Sequence, residues 1–394
     1  MRRILDGRSR LQFPPPMWKV KRELRRIVGQ FEDLVFRTTG FSIPKFYMKW
    51  FVDPRVASKK GALPLQDRVA IYMIFPAEGL LASHVMALDY IVACGYVPVV
   101  VSNLPLDDAA QATILQRSAA LIFRPNFGYD FAAYRDGLKY LDRVDARPDY
   151  LAIFNDSTWF PAFPGRNWFR EAEATGCDYV GSVFHNAIDP DVEWDFRKDP
   201  WTADCHFKHF HYGSFALLIG RNILISPEFK AFWRDYLPSN DKLRTVKTGE
   251  IGLTQLIVQG GFSHAATLDN QNLDELLSAL PTGELVEIAL NTMTPTHKKI
   301  RKVLDENSLA DAPDRDQLRN FILNAVVKEG PAYALVNFDV LSRSGNFIKK
   351  SSVELDKTAG ELTLNLLRQL PGPSGEVFLA EATRMYQKKH GANL

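Results

Sequence analysis

The chain has 394 residues and a formal net charge of +2 at pH 7, and its apolar and charged fractions, 46% and 24%, are ordinary for a globular protein. This length suits one large α/β domain with appendages, or two domains. No run of eighteen or more apolar residues occurs, which excludes a membrane-spanning helix of the usual length. The three cysteines are scattered and the N-terminus has no apolar signal core, so we expect a reducing, cytoplasmic location without a disulfide framework.

Positive charge is concentrated at the start of the chain. Residues 1–60 contain fifteen Lys and Arg but five Asp and Glu, a net charge of +10, whereas the remainder carries −8. Between Met17 and Leu34, apolar residues recur every three or four positions, which predicts a basic amphipathic helix. Such a helix can lie on the anionic inner face of the cytoplasmic membrane, or it can dock on the main domain, and both interpretations stay open. No nucleic-acid-binding motif accompanies the basic residues, so we expect no nucleic-acid partner.

Beyond residue 67 the chain alternates between strand patterns and helix patterns. Short apolar runs rich in β-branched residues predict strands, and apolar residues at three- and four-residue spacing between them predict helices. This alternation indicates right-handed crossovers and a mostly parallel sheet with helices on both faces. The predicted strands lie at 68–75, 96–104, 119–123 and 150–154, and the helices between them lie at 80–95, 107–118 and 126–144.

The later part of the chain adds shorter elements. Two further strands are predicted at 177–184 and 214–220, and two helices at 226–236 and 249–261. After about residue 290 the sequence becomes more helical and more charged, which predicts a helical C-terminal subdomain. We therefore expect a basic, partly helical arm at 1–60, an α/β domain at 61–290 and a mainly helical subdomain at 291–394.

The fourth predicted strand stops at three polar residues, Asn155, Asp156 and Ser157. Side chains of these types favour a turn, which is the simpler explanation. Ligands of open α/β sheets, however, bind beyond the carboxyl ends of the strands. The preceding helix begins at the same edge, near Asn126 and Gly128, where glycine lets backbone approach a ligand and the helix start favours anions. A helix start beside a strand-end carboxylate suits a nucleoside diphosphate, with or without a divalent cation.

Three widespread catalytic or phosphate-binding motifs are absent from the sequence. There is no Gly-x-Ser-x-Gly elbow of a serine hydrolase and no Walker phosphate loop. The glycine-rich dinucleotide fingerprint is also missing after the first strand. The sequence therefore disfavours a serine hydrolase, a P-loop NTPase and a Rossmann dehydrogenase.

Four successive stretches carry a resemblance to a known family: "NFGYDFAAYRDGL", "FNDSTWFP", "HYGSFALLI" with "FKAFW", and "GEIGLTQLIVQGGF". They resemble the motifs of the rhamnan synthesis F family, which comprises glycosyltransferase-like proteins of bacterial surface-polysaccharide assembly. The resemblance runs from about Arg68 to Asp356, and the joint order of the motifs is more specific than any one of them. More distantly, the layout is similar to inverting transferases of the GT-A fold, which implies an α/β, Rossmann-type, mostly parallel sheet flanked by helices. The weaker stretches "TPTHKKI" and "GNFIKK" resemble the C-terminal motifs of the rhamnan synthesis F family.

The resemblance assigns roles to individual residues. Asp156 takes the place of the metal or diphosphate carboxylate of an Asp-x-Asp motif, although the sequence here is Asn-Asp-Ser. Glu250 corresponds to the acid that opens a helix and serves as general base. Alternatively, Glu250 complements the dipole of that helix and has no chemical role. The residues implied for the donor site are Asn126, Gly128, Tyr129, Asp130, Arg135, Asn155 and Ser157.

A second group of residues is implied for the acceptor or for the pocket. His211 and Ser214 match a His-x-Gln-Ser-like element of the family, except that Gly213 replaces the glutamine. Trp159 can stack on a sugar face, although a large aromatic residue is also an ordinary core residue. The cysteine and histidines at 205–211 raise the question of a zinc site, but their spacing matches no zinc signature.

The resemblance implies a glycosyltransferase of bacterial surface-polysaccharide biosynthesis, making O-antigen, capsule or rhamnan. It would transfer rhamnose or another deoxyhexose from a nucleoside diphosphate sugar to a lipid-linked or polysaccharide acceptor, with inversion. The implied cofactor is Mg²⁺ or Mn²⁺, held at Asp156, and the basic arm would contact the inner membrane peripherally. Because the second carboxylate is missing, a non-catalytic carbohydrate-binding or scaffold protein of the same pathway is the alternative.

Overall fold

Two stretches for which the sequence analysis predicts structure or function lie outside the residues that the structure describes. One is the amphipathic helix predicted between Met17 and Leu34, and the other is most of the "TPTHKKI" stretch. The computed structural model describes residues 43–391, apart from 186–187, 190–191, 193, 203, 296–313 and 343.

The chain divides between Pro54 and Arg55 into two units. In the first unit, Ile43–Tyr47 forms a short helix, α1, and Met48–Val52 forms a π-helical turn. A single 3₁₀ turn at Asp53–Arg55 includes the point of division. All elements described below belong to the second unit.

The second unit is built on a central sheet of eight strands. Four further strands form two-stranded sheets, and all strands are numbered here in chain order. The strands are β1 Ala57–Lys60, β2 Arg68–Ile74, β3 Val97–Ser102, β4 Ala120–Phe123, β5 Tyr150–Asn155, β6 Thr158–Trp159, β7 Tyr179–Gly181, β8 Phe184–His185, β9 His211–Tyr212, β10 Ala216–Gly220, β11 His264–Ala266 and β12 Ile348–Lys349.

The strand order of the central sheet is β1-β4-β3-β2-β5-β10-β7-β11. Strands β4, β3, β2 and β5 are parallel neighbours, as are β7 and β11, whereas β1 and β10 run antiparallel to the strands beside them. The first four predicted strands correspond to β2, β3, β4 and β5. The predicted Rossmann-type, mostly parallel sheet flanked by helices is therefore confirmed.

The central strands are apolar on both faces because helices cover both faces. Along β2, Val69 and Ile71 pack into the core on one side, and Ala70 and Tyr72 pack into the core on the other. Successive side chains of a strand point to opposite faces, so a strand buried on both sides appears in the sequence as a continuous apolar run.

Some of the helices around the sheet begin with a side-chain cap. Oδ1 of Asp107 accepts the N–H of Ala110, and Oγ of Ser226 accepts the N–H of Phe229. Across the described residues, no helix combines the length and the apolar character needed to cross a bilayer. These helices are α2 Ala82–Ala93, α3 Asp108–Leu115, α4 Tyr129–Arg143, α5 Trp168–Ala174, α6 Arg221–Ile225, α7 Pro227–Asp235, α8 Lys242–Thr245, α9 Gly252–Gln259, α10 Leu273–Ala279 and α11 Thr282–Asn291.

The C-terminal part is helical, as predicted, and one short strand ties it to the sheet. Strand β12 pairs with β6, so that Lys349 lies opposite Thr158 and Ile348 lies opposite Trp159. This pairing brings the C-terminal helices to the carboxyl end of β5. The expected domain boundaries at 60 and 290 stay predictions. The C-terminal helices are α12 Arg315–Glu329, α13 Pro331–Ala334, α14 Val336–Leu341, α15 Ser352–Leu355, α16 Lys357–Gln369 and α17 Gly372–His390.

Candidate active site

A cavity of about 630 Å³ opens where β2 and β5 end. Ligands of open α/β sheets bind at this edge, which is where the sequence predicted a crevice. Segments far apart in the chain meet there, including the strand end after β5 and the start of α4. The predicted site residues that line the cavity are Asn126, Tyr129, Asp130, Asn155, Asp156, Ser157, Ser214 and Glu250.

Asp156 is contacted by both the main chain and a histidine. Its Oδ2 accepts the N–H of Phe75 at 2.6 Å and lies 3.2 Å from Nε2 of His84 in α2. Since Nδ1 of His84 accepts the N–H of Leu81, Nε2 carries the ring proton in the neutral imidazole. Asp156 therefore joins β2, β5 and α2 at one point.

The negative charge of Asp156 is compensated within the protein. Burial acts to raise the pKa of Asp156, but His84, the Lys350 ammonium and the Phe75 N–H together hold it below its ordinary value. Asp156 is consequently ionised at neutral pH. Its contacts to Phe75 and His84 are made by Oδ2, and among the described residues Oδ1 accepts no hydrogen bond.

Both the amide nitrogen and the amide oxygen of Asn155 form hydrogen bonds to neighbouring residues. Its Nδ2 donates to Oδ2 of Asp130 at 3.1 Å and to the hydroxyl of Tyr134 at 2.8 Å. Its Oδ1 accepts the N–H and the hydroxyl of Ser157 at 3.1 and 2.5 Å. Asn155 therefore positions Asp130 and Ser157, and the turn after β5 is also a wall of the cavity.

Two carboxyl groups share one hydroxyl in the cavity. The Oγ of Ser214 donates to Oε1 of Glu250 at 2.6 Å and lies 3.2 Å from Oδ2 of Asp130. A hydroxyl has a single hydrogen, so Ser214 can donate to only one of the two carboxyls at a time. The protonation of Asp130 and that of Glu250 are therefore linked.

Both of these carboxyl groups hold protons more tightly than usual. Burial raises the pKa of Asp130 to about 6, and the charge of Glu250 adds to this effect. Burial likewise raises the pKa of Glu250 above its ordinary value, although Ser214 and the Lys349 ammonium act in the opposite direction. A carboxylate with a pKa moved toward neutrality suits general acid–base chemistry.

The helix that carries Glu250 starts earlier than the sequence predicted. Asp241 caps α8, and the chain then continues without a break through a π-helical turn at Val246–Ile251 into α9. Glu250 therefore lies well inside a helical stretch, and the predicted helix start at 249 is wrong. The favourable effect of a helix dipole is confined to the first turn, so it does not explain a glutamate at this position. Single π-helical turns are frequent at functional sites.

Gly249 brings the Glu250 turn close to α4. A Cβ at position 249 would lie 2.7 to 2.9 Å from ring atoms of Phe131, which immediately follows Asp130. Only glycine permits this approach without a shift of the packing. The Gly-Glu pair thus lets Glu250 and Asp130 share Ser214.

Gly128 is the left-handed residue at which the chain enters α4. Its φ is +81°, and its N–H donates to Oδ1 of Asn240 at 2.8 Å. A Cβ there would lie 2.5 Å from Pro238. Gly128 packs against the loop at 238–240 and is not among the cavity-lining residues, whereas Tyr129 and Asp130 next to it are.

His211 faces Glu250 through its unprotonated nitrogen. The carbonyl oxygen of His209 accepts the Nδ1–H of His211 at 2.8 Å, which leaves Nε2 with the lone pair, 3.8 Å from Oε2 of Glu250. Burial lowers the pKa of His211, and the parallel ring of His185 lies 4.4 Å away between centroids. His211 is thus a neutral neighbour of the carboxyl pair.

Two predicted site residues lie away from the cavity. Trp159 is fully buried, and its Nε1 donates to Oε2 of Glu381 at 2.9 Å, so it belongs to the core beneath the C-terminal helices. Arg135 follows Asp130 by five positions, which rotates it about 140° around an α-helix. It lines a separate cavity of about 380 Å³, with NH1 3.4 Å from Oδ1 of Asp136. Neither residue lines the cavity of the candidate site.

The structure also brings in residues that the sequence did not single out. His84 reaches the strand end from α2, and Lys242, Tyr333 and Lys349 line the cavity. The only signal for Lys349 was the weak "GNFIKK" stretch, which gave no indication of its place in the fold. Nothing in the sequence around His84 indicates a contact with Asp156.

The strand end does not suit a divalent cation. Mg²⁺ and Mn²⁺ prefer several oxygen ligands with negative charge. The charge of Asp156 is already opposed by the Lys350 ammonium, its Oδ2 accepts the Phe75 N–H, and the amide oxygen of Asn155 is occupied by Ser157. Within the ranges that the structure describes, no three His, Cys, Asp or Glu side chains are grouped so that they could hold a metal ion.

Comparison with known proteins finds one curated relative and several solved structures. The uncharacterized protein y4gN of Sinorhizobium fredii (strain NGR234) is 26% identical over 276 residues, which cover 70% of this chain. The chain spans 64% of the length of that relative. Core-mannan synthase A of Aspergillus fumigatus, in its Mn/GDP form, is 10% identical with a TM-score of 0.28, over 44% of this chain and 65% of that one. Residues 1–349 of S. aureus TarS are 9% identical with a TM-score of 0.29. This match covers 82% of this chain and 92% of the TarS chain.

A family model gives the more specific result. The model described as rhamnan synthesis protein F matches residues 98–329, which is more than half of the chain. The match includes α4, the strand end after β5, Ser214 and Glu250. The chain therefore belongs to the rhamnan synthesis protein F family.

Proposed function

We propose that this protein is a glycosyltransferase of bacterial surface-polysaccharide assembly. The observation that carries the proposal is the pair of carboxyls, Asp130 and Glu250, that share the Ser214 hydroxyl inside the cavity at the strand ends. Glycosyl transfer with inversion needs one base beside a site for the leaving group. Membership of the rhamnan synthesis protein F family supports a carbohydrate substrate.

In the proposed reaction Glu250 is the general base. Its carboxylate takes the proton of an acceptor hydroxyl, whose oxygen attacks the anomeric carbon of the donor sugar. The bond from that carbon to the diphosphate breaks, and the nucleoside diphosphate leaves with the bonding electron pair. Ser214 orients Glu250 for this role.

Asp156 is proposed to bind the donor through Oδ1. An ionised carboxylate accepts strong hydrogen bonds from sugar or ribose hydroxyls. The contacts of Oδ2 to Phe75 and His84 fix the carboxylate, so its free oxygen is preorganised. Asn126, Tyr129 and Ser157 would complete the donor side of the cavity. The residues at the strand end do not suit Mg²⁺ or Mn²⁺, so no step of this reaction is assigned to a metal ion.

Rhamnose, or another deoxyhexose, is the donor sugar that we propose, and its support is the family alone. A lipid-linked or polysaccharide glycan is the proposed acceptor. The basic residues at 1–60 would contact the anionic inner face of the membrane and bring the active site to such an acceptor.

A panel of nucleoside diphosphate hexoses and deoxyhexoses tests the proposed function. The full chain is incubated with each donor, with and without a glycan acceptor, and release of nucleoside diphosphate is measured. We expect turnover with one sugar class, increased by the acceptor and lost in the Glu250→Gln variant. Donor binding without any turnover would contradict the proposal and would favour a non-catalytic carbohydrate-binding protein of the same pathway.

A further inference from the structure

Lys349 enters the cavity from the C-terminal part of the chain. It lies in β12, whose partner β6 begins two residues after Asp156. Its Nζ lies 3.5 Å from Oγ of Ser157 and 4.0 Å from the centroid of the Phe215 ring. Lys349 and Lys242 are the lysines among the described residues that line the cavity.

The neighbouring Lys350 has a different environment. Its Nζ lies 3.3 Å from Oγ of Ser83 and 5.8 Å from the centroid of the Trp159 ring. The carboxylates of Asp156 and Glu381 are the charges that stabilise its ammonium form. Lys350 therefore compensates Asp156, whereas Lys349 faces the space that a donor would occupy.

The ammonium groups of Lys349 and Lys242 place positive charge in the cavity in which the donor is proposed to bind. Burial lowers the pKa of Lys349 to about 8, while Glu250 and Asp130 favour its charged form and Lys242 opposes it. A poorly solvated ammonium gains more from a bound anion than an exposed one does. A leaving diphosphate builds up negative charge in the transition state, which is the charge that such a group stabilises.

We propose that Lys349, together with Lys242 at the rim, binds the diphosphate of the donor in place of a divalent cation. Transfer by this protein would therefore be independent of Mg²⁺ and Mn²⁺. The inference rests on the proposed function for the identity of the donor, but the anion site itself is defined by Lys349, Lys242 and the poor fit of the strand end to a metal. A lysine that served only as counter-ion to Glu250 and Asp130 would not bind a second anion.

Binding of inorganic pyrophosphate in EDTA tests the anion site directly. Calorimetry on the full chain compares the wild type with Lys349→Met and Lys349→Arg, and with Lys230→Met as an exposed control lysine on α7. We expect wild-type binding without metal, a loss of roughly ten- to hundredfold in affinity in Lys349→Met, and recovery in Lys349→Arg, since a charged hydrogen bond is removed and then restored. Lys230→Met should bind as the wild type does.

Two results would overturn the inference. One is pyrophosphate binding that requires Mg²⁺ or Mn²⁺, and the other is unchanged affinity in a folded Lys349→Met. If Lys349→Met does not fold, as judged by circular dichroism, Lys242→Met at the exposed rim takes its place, with a loss of roughly three- to tenfold expected and unchanged affinity as the contrary result.

The failure of this inference can be told apart from failure of the proposed function. If the chain binds pyrophosphate through Lys349 but turns over no nucleotide sugar, the proposed anion site is supported and the proposed transferase function is contradicted. If sugar transfer occurs but stops in EDTA, the transferase function is supported, and the proposal that lysines replace the metal ion is contradicted.

Discussion

The hydroxyl of Ser214 donates a 2.6 Å hydrogen bond to Oε1 of Glu250 and lies 3.2 Å from Oδ2 of Asp130, which links the two carboxyls of the cavity. Three separate segments supply these groups: the start of α4, the residue two positions before β10, and the π-helical turn before α9. The hydrogen bond from Ser214 orients Glu250, and burial raises the pKa of Glu250. Both properties are needed by a general base.

Replacing Glu250 by glutamine tests the base. Gln keeps the shape and can still accept the hydrogen bond from Ser214, but it cannot take a proton. We expect turnover to fall roughly a hundred- to ten-thousandfold while donor affinity changes little. Product formation and donor calorimetry on the same purified variant provide the measurement, with the exposed Glu284→Gln as control. Intact transfer would exclude the base assignment, and lost donor binding would move Glu250 to the donor pocket.

Replacing Asp156 by asparagine tests the strand-end carboxylate. We expect at least about a hundredfold loss of turnover, about 3 kcal/mol of transition-state stabilisation, because an amide cannot supply the negative charge. The exposed Asp142→Asn is the matched control. Thermal unfolding should show that the variant is folded. Near-normal turnover would leave Asp156 as the turn residue that links β2, β5 and α2.

The pH dependence of kcat/KM should be bell-shaped. Glu250 must be ionised to act, and burial raises the pKa of both Glu250 and Asp130, that of Asp130 to about 6. As the pH is lowered, activity should therefore begin to fall at a higher pH than the ordinary pKa of a glutamate would give. Lys349 must be protonated to bind an anion, so activity should also fall as the pH rises through its pKa of about 8. Arginine stays charged at high pH, and Lys349→Arg should therefore remove the alkaline limb. An unchanged alkaline limb in that variant would assign it to another group.

Asp339 should make the fold less stable as the pH rises. Burial raises its pKa to about 8, and it lies beside a cavity of about 20 Å³ that Thr158, Ser182 and Lys349 also line. The folded state then binds this proton more tightly than the unfolded state, whose Asp pKa is about 4. The resulting stability is complete below about pH 4 and is lost as the pH rises toward about 8. The melting temperature of Asp339→Asn should depend less on pH over this interval than that of the wild type. An equally steep pH dependence in both proteins would contradict the raised pKa of Asp339.

The sequence by itself determined the sheet and the edge at which the site lies. Apolar runs of strand length predicted β2, β3, β4 and β5 because strands covered on both faces must be apolar throughout. Parallel strands have their carboxyl ends at one edge, so Asp156 and the start of α4 could be expected together. The family motifs added Ser214 and Glu250, whose contact is a relation between segments that no local pattern contains.

Only the tertiary structure decided which other side chains reach that edge. Trp159 follows the strand end in the sequence, yet its pairing with Ile348 and its bond to Glu381 bury it in the core. The same strand pairing delivers Lys349 to the cavity from almost two hundred residues away, as α2 delivers His84 to Asp156. Local propensity depends on neighbours in the chain, whereas burial and charge at the site depend on long-range packing, and this is why composition and spacing could not reveal these residues.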